Sequence, residues 1–311
     1  MATAETRGDL SGAERLLRET AGDRVQAGFP LAPLTSFRIG GPASLYLEVE
    51  SADDLGAVAR AVIEESVPFV VIGKGSNLLV SDEGFPGLVV RLGRSYRWAA
   101  REGDLLKSGG SMPLPALAGV ALNHGLSGLE FGVAIPASVG GSVWMNAGAH
   151  GHSLDEVLDS IELFDLKAGE LRVIPASQAG FDYRKSELPD PGVVVAAGFL
   201  LEPRDLEEIR GQMEEARAWR KATQPLAEPN CGSVFKNPPG DHAARLIEEA
   251  GGKGLSVGGA RVSEKHSNFI VANPGASAAD VRALMEVLRD RVLSKFAVEL
   301  EAEVRMVGPV S

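Results

Sequence analysis

Cysteine is almost absent from this chain. Cys231 stands alone, so no disulfide can form within the chain, and a reducing compartment is the natural expectation. Positive charge is also short. Thirty-one Lys and Arg face forty-two Asp and Glu, a formal charge of −11 at pH 7. That balance argues against charge-driven binding to nucleic acid or to an anionic membrane surface, while leaving room for a local basic pocket around a phosphate. No uncharged apolar stretch approaches the roughly 20 residues that cross a bilayer. The opening MATAETRGDL has no basic start followed by an apolar run, so no signal peptide is expected. Internal repeats and low-complexity tracts are missing too. A cytoplasmic protein without nucleic-acid or membrane partners is expected.

What is present is ordinary for a globular protein. At 311 residues, 44% hydrophobic and 23% charged, the chain is long enough for a large core in about two domains, and three small lobes also fit. Residues 9–21 and 113–124 have helical patterns, and Ser51 with Asp54 forms a capping-box pattern for a helix over 52–65. VPFVVIG reads as a buried strand ending at Gly73. SIELFDLKAGELRVIP reads as a hairpin turning at Ala168-Gly169, and VVVAAGFLLEP as another buried strand. Helices are expected over 205–222, near 241–250 and over 278–296. The last carries a Ser277/Asp280 capping box and an apolar face of Val281, Leu284, Met285, Leu288, Val292 and Phe296. AVELEAEVRMVG alternates strictly and predicts a closing strand with Val298, Leu300, Ala302, Val304 and Met306 on one face.

Two glycine-dense loops stand out. Gly73-Lys74-Gly75-Ser76-Asn77 follows a strand, and glycines there let backbone N–H groups converge on a ligand such as a pyrophosphate. The loop is neither a P-loop nor a dinucleotide fingerprint, since Leu78 stands where the third glycine is required. A tight turn needing glycine only for positive φ explains it equally well. The second stretch, residues 132–151, contains Gly140-Gly141-Ser142 and Asn146-Ala147-Gly148. Two close-approach loops in successive α/β units suit one long ligand, and FAD has that length.

Several polar groups are candidates for chemistry. Gly232-Ser233-Val234-Phe235-Lys236-Asn237-Pro238 puts a hydroxyl, an ammonium and an amide in one loop. Its serine is either a proton donor or a cap or turn residue before the helix near 241. Tyr183-Arg184-Lys185-Ser186 is a basic knot that either holds an anion or is a surface loop with paired charges. Glu303 alone reads as the solvated face of a strand. His150 and His152 have no third ligand nearby, so no metal is expected. Cys231 is a nucleophile candidate beside His242 or His266, or simply a buried thiol. Gly254-Leu255-Ser256-Val257-Gly258 matches the hydrolase elbow pattern, but a helix precedes it and an apparent strand follows, the reverse of what that elbow needs.

Taken together, PLAPLTSFRIGGPA, VIGKGSNLLVSDEGFPGLVV, GLEFGVAIPASVGGSVWMNAGAHG, FDYRKS, PNCGSVFKNP, LIEEAGGKGLSVGGARVSEKHSNFIVAN and LEAEVRMVG resemble, in order, the UDP-N-acetylenolpyruvoylglucosamine reductases. The resemblance covers nearly the whole chain. It implies an α+β fold: a two-lobe FAD-binding domain of the vanillyl-alcohol-oxidase-like (PCMH) type plus a smaller α/β substrate-binding domain. The boundaries it implies are 1–95 and 96–203 for the FAD lobes and 204–311 for the substrate domain, with the last strand packing back on the FAD lobes.

The resemblance also implies FAD and NADPH as cofactors, enolpyruvyl-UDP-N-acetylglucosamine as substrate, and a monomer. By it, Ser233 is the proton donor, and Arg184 and Glu303 polarise the substrate carboxylate. Asn237 and Lys253 contact substrate. Gly73, Gly75, Ser76 and Asn77 hold the FAD pyrophosphate, while Pro136, Gly140, Gly141, Trp144 and Asn146 line the flavin. Lys236 or ordered water is expected to assist Ser233. The family's IPG-x-VGG pattern has Ala137 in place of a glycine here, at a cost of about 1 kcal/mol if that position needs positive φ. A tyrosine-bearing substrate loop between Arg184 and Ser233 is missing, as in one branch of the family. The rival readings are a flavin oxidase tethering FAD through His150, His152 or Cys231, a nucleotide-binding protein without chemistry, and a serine hydrolase at Ser256.

Overall fold

The protein is described from a computed structural model over residues 8–309. Residues 1–7 of the MATAETRGDL stretch lie outside the described residues. Among the described residues, no helix is long and apolar enough to cross a membrane. The chain forms two compact units. The first holds residues 8–28, Ser44–Lys74 and Gly87–Ala218, and the second holds Phe29–Ala43, Gly75–Pro86 and residues 219–309.

In the first unit, α1 (Leu10–Ala21) and α2 (Ala52–Glu64) contribute to a core containing Leu17, Leu47, Leu55, Val58, Leu88 and Val90. Most of a four-stranded sheet belongs here, ordered Gln26–Pro30, Pro42–Val49, Phe85–Leu92, Phe69–Val71. The capping box of α2 forms as the sequence predicts. Ser51 Oγ accepts the Asp54 N–H at 3.2 Å, and Asp54 accepts the Ser51 N–H at 3.2 Å. Asp54 does more than cap. Its fully buried carboxylate accepts two bonds from Arg24, at 2.6 and 2.7 Å, and the Glu50 N–H at 2.8 Å.

The rest of the unit is built on an antiparallel five-stranded sheet. Its order is Glu170–Pro175, Leu158–Asp165, Gly192–Leu200, Leu105–Gly109, Ala99–Glu102. The expected hairpin is its edge, with Asp165 opposite Glu170 and Gly169 at φ +69° in the turn. The central strand Gly192–Leu200 is buried at every position but the last. Val193 and Val195 enter the core already described, whereas Val194, Ala197 and Phe199 enter a second one. The parity changes because the pairing with Leu158–Asp165 passes from Glu162 opposite Ala196 to Leu163 opposite Val194, leaving Val195 as a bulge. One extra residue flips which face each later side chain takes. The second core also takes Leu117 from α3 (Leu114–Asn123) and Val143 from α4 (Val139–Trp144). From α5 (Leu206–Thr223) it takes Ile209, Met213 and Ala216.

The second unit packs α6 (Ala243–Glu249) and α7 (Ala278–Phe296) with the three-stranded antiparallel sheet Ser256–Val257, Ala260–Val262, Ile270–Ala272. The α7 capping box forms, and Val281, Leu284, Met285, Leu288 and Val292 are buried as its periodicity predicts. Burying each such side chain stabilises by about 1.5–3 kcal/mol. The chain's end departs from expectation. Only Arg305–Val307 is strand, parallel to Leu78–Val80, and the alternation fails there because Val304 and Val307 are both buried while Met306 is 37% exposed. The partner segment is three residues long, and it limits the ladder to three pairs.

Burial alone pushes the Asp54 carboxyl pKa up. The Arg24 guanidinium and the Glu50 and Ser51 amides outweigh it and leave the pKa below the ordinary carboxylate value. A depressed carboxyl pKa contributes stability above the unfolded value, near about 4, and that contribution is lost as pH falls through the folded value. Asp54→Asn is therefore expected to lower unfolding free energy by about 2–3 kcal/mol at pH 7. Urea melts should show the gap to wild type narrowing below about pH 4.

Candidate functional site

The first glycine loop runs from the first unit into the second. A Cβ on Gly73 would lie 2.2 Å from Ser138 Oγ. One on Gly75, at φ +61°, would lie 2.1 Å from the Leu34 carbonyl oxygen, so Gly75 excludes a side chain and one at Gly73 would displace the Ser138 hydroxyl. Among the described residues, no backbone N–H from Gly73 to Asn77 donates to a protein acceptor. Five successive open donors, with glycine at the two crowded positions, fit the pyrophosphate of a dinucleotide. Cationic charge adds to this. The Lys74 ammonium is held below its usual pKa by burial first and then by repulsion from Arg91 and Arg97, which places three cations together in an acidic protein. Asn77 has a further job. Its side-chain amide donates to the Glu303 carbonyl at 3.1 Å, and its own carbonyl accepts the Arg305 N–H at 3.0 Å.

The second loop is internally bonded instead. Gly140 donates to the Gly110 carbonyl at 2.9 Å, and a Cβ on Gly140 would stand 2.9 Å from the Val194 carbonyl. The loop therefore lies directly on the central strand. Ser138 caps α4 by accepting the Gly141 N–H at 3.4 Å. Trp144 is half-buried, and Pro136 and Gly141 are exposed. The hydroxyl of Ser142 and one carboxylate oxygen of Glu130 are buried without a partner among the described residues, polar atoms that a bound ligand or water would satisfy. Ala137 is not among the residues at positive φ, so the expected cost of losing a glycine there does not arise.

Arg184 occupies a tight turn in which the Asp182 and Lys185 N–H and C=O groups bond reciprocally at 3.1 Å. It has φ +56°, donates to the Gly148 carbonyl at 2.9 Å and lies over the Tyr183 ring at 4.9 Å. The alternative of a mere surface knot does not describe it, because its guanidinium is turned onto the second glycine loop. Asn146 is buried, with its amide bonded to Asp182 and Asp155.

Ser233 and Glu303 share one frame in the second unit. Ser233 bridges Phe269, and the following peptide is gripped from both sides. Val234 donates to the Asn268 carbonyl at 2.9 Å, and its own carbonyl accepts the Glu303 N–H at 2.9 Å. The Asn268 side chain, 2% exposed, clamps Phe235 with both ends, at 3.1 Å to its N–H and 2.8 Å to its C=O. Ser233 is half-buried, and its hydroxyl has no protein partner among the described residues. It caps no helix, since α6 begins ten residues later behind His242. Glu303 is half-buried and outside the closing strand, not on a solvated strand face. Sequence reasoning assigned Asn268 no role. The signal was a polar residue at the head of the apolar run Phe269–Ala272.

The remaining candidates are engaged locally. Asn237 accepts the Ala243 N–H at 3.1 Å, at the start of α6. Lys253 pairs with Glu248 at 2.9 Å. The Lys236 ammonium is held by Glu301 at 2.6 Å, which engages the group expected to assist Ser233. His152 pairs with Glu156 at 2.7 Å, and no group of three metal-ligating side chains occurs among the described residues. Ser256 is exposed on a two-residue strand opposite Arg261, so the hydrolase elbow is not built.

A family model described as an FAD binding domain matches residues 43–174, the span that carries both glycine loops. The fold is thus that of an FAD-binding flavoprotein, α+β, with a second domain toward the C-terminus. A model for the C-terminal domain of UDP-N-acetylenolpyruvoylglucosamine reductase matches residues 224–307, which include Ser233 and Glu303. The reductase of that name from Heliobacterium modesticaldum is 44% identical across 90% of this chain and 89% of its own length. The one from Bacillus subtilis is 40% identical across 94% of this chain and 97% of its own. The crystal structure of the Thermus caldophilus reductase superposes with a TM-score of 0.80 at 39% identity, covering 91% of this chain and 99% of that one. The chain belongs to the UDP-N-acetylenolpyruvoylglucosamine reductase family.

Cys231 is 3% exposed, and burial first, then the nearby Glu303 carboxylate, push its thiol pKa far up. It is no nucleophile in the folded protein, because the thiolate is the reactive form. A disulfide reagent is expected to titrate no thiol in native protein and one after denaturation. Fast native labelling would contradict this burial.

Proposed function

We propose that this protein is an FAD-dependent, NADPH-consuming reductase of the enolpyruvyl ether of UDP-N-acetylglucosamine, forming UDP-N-acetylmuramate for peptidoglycan precursors. It acts as a cytoplasmic monomer. The observation that carries the reading is the shared frame of Ser233 and Glu303: an unengaged hydroxyl on one residue, and the next residue's carbonyl bonded by the glutamate's N–H. Family membership supplies the substrate class.

Gly73, Gly75, Ser76 and Asn77 would hold the FAD pyrophosphate through the open backbone donors, with the Lys74, Arg91 and Arg97 charges nearby. Pro136, Gly140, Gly141 and Trp144 are carried over as the flavin-side residues, whereas the Asn146 amide, expected beside them, is taken by Asp182 and Asp155. When bound, FAD supplies hydride chemistry between the nicotinamide and the enol ether. The chain's own part is electrostatic and protonic. Reduction at the methylene carbon leaves negative charge on the carbon α to the carboxylate, too basic to form unaided. Arg184 and Glu303 polarise that carboxylate, and Ser233 delivers the proton to the α-carbon. Asn237 and Lys253 contact the substrate. On this reading residues 1–95 and 96–203 are the FAD lobes and 204–311 the substrate domain, although segments 29–43 and 75–86 group with the second unit and residues 204–218 with the first.

The visible spectrum of purified protein tests the reading. Flavin bands should bleach under anaerobic NADPH and return on adding enolpyruvyl-UDP-N-acetylglucosamine. A colourless protein that FAD does not reconstitute overturns it. Ser233→Ala is expected to bleach normally and to slow the return by about 10²–10⁴-fold, the range for losing a general acid. Equal loss in both half-reactions would remove Ser233 from that role.

A further inference from the structure

Six non-glycine residues in the described chain have positive φ, and three of them, Asn146 (+43°), His150 (+54°) and Arg184 (+56°), belong to two facing segments of the first unit. Strained backbone of this kind persists only where neighbouring bonds hold it. The bonds here are specific. Ser186 Oγ donates to the Trp144 carbonyl at 2.7 Å, Asn146 Nδ2 to the Asp182 carbonyl at 3.2 Å, and Arg184 to the Gly148 carbonyl at 2.9 Å. The Arg184 guanidinium also reaches the Asn146 carbonyl at 3.5 Å. Asn146 is thus bonded to both the base and the tip of the Arg184 turn. Its Oδ1 meanwhile accepts the Asp155 N–H at 3.1 Å, anchoring the amide from behind.

We infer that Asn146 is a positioning residue for Arg184, acting through the Asp182 carbonyl, and not a flavin contact. Its side chain is 3% exposed and bonded at both ends, which leaves little surface to offer a flavin. Asparagine suits the place because it tolerates left-handed backbone and carries a donor and an acceptor on one short stem. Glycine would keep the backbone and lose both bonds. Aspartate would keep the acceptor for Asp155 and turn an oxygen against the Asp182 carbonyl. With the turn's base released, the backbone carrying the guanidinium shifts, and a displacement of about 1 Å in such a group costs about 10²-fold. The inference rests on the reading of Arg184 as the cation for the substrate carboxylate.

The test is a double-mutant cycle that follows two quantities: the FAD dissociation constant, and the rate at which substrate reoxidises the pre-reduced holoenzyme in single turnover. Asn146→Asp is expected to slow reoxidation by about 10–100-fold, with FAD affinity within about twofold of wild type. In an Arg184→Ala background the same change should cost about twofold or less, since the group it positions is gone. Additive losses in the two backgrounds would overturn the inference, as would weakened FAD binding with normal reoxidation, which would return Asn146 to the flavin. If Arg184→Ala alone leaves reoxidation unchanged, the catalytic reading of Arg184 fails and this inference fails with it, a result distinct from additivity. Should Asn146→Asp not fold, Asn146→Gly keeps the φ angle and runs the same cycle, with the same results supporting or overturning the inference.

Discussion

A loop that presents side chains to a ligand has no ladder in which to satisfy its own peptide groups, and each unmet buried group costs about 1–3 kcal/mol. In this protein that constraint is met by side-chain amides. Asn268 reaches a residue 33 positions away and satisfies both polar groups of Phe235. Asn146 joins segments 9 and 36 positions away, and Asn77 reaches Glu303 across 226. Each amide supplies one donor and one acceptor on a short stem, so it stands in for the peptide of an absent strand. Ser233, Arg184 and Glu303 all ride on backbone held in this way.

The first glycine loop is the exception. Its donors from Gly73 to Asn77 are left open, and the Leu34 carbonyl and Ser138 hydroxyl crowd the places where side chains would stand. Open N–H groups are tolerated at the surface, where water or an anion can take them. The three cations Lys74, Arg91 and Arg97 make an anion the better occupant, despite a net charge of −11. Local field and global charge have opposite signs here, and the local one governs a pocket.

The second loop depends on the sheet beneath it. Gly110 donates to the Val195 carbonyl at 2.7 Å and accepts from Gly140, so the bulged residue is the one on which the glycine stack is seated. The same bulge switches which core the strand's later side chains enter. A substitution that removed it would shift later side chains to the wrong face and lift the loop from its support.

Short-range physics was legible in the residues before any coordinates. The two helix capping boxes, the buried face of α7 and the turn of the 158–175 hairpin each depend on residues within a few positions, and all three form. The ordered motifs also pointed to the family, because long strings of specific residues carry that information on their own. Other features emerge only on folding. The closing strand stops at three residues because its partner Leu78–Val80 is that short, which no alternation in residues 297–308 can reveal. Ala137 needs no positive φ, Lys236 belongs to Glu301, and Asn146 is bonded to the Arg184 turn. These outcomes turn on which distant group arrives opposite a given atom. Residue identity sets the chemistry each side chain can offer, and only packing selects the partner that takes it.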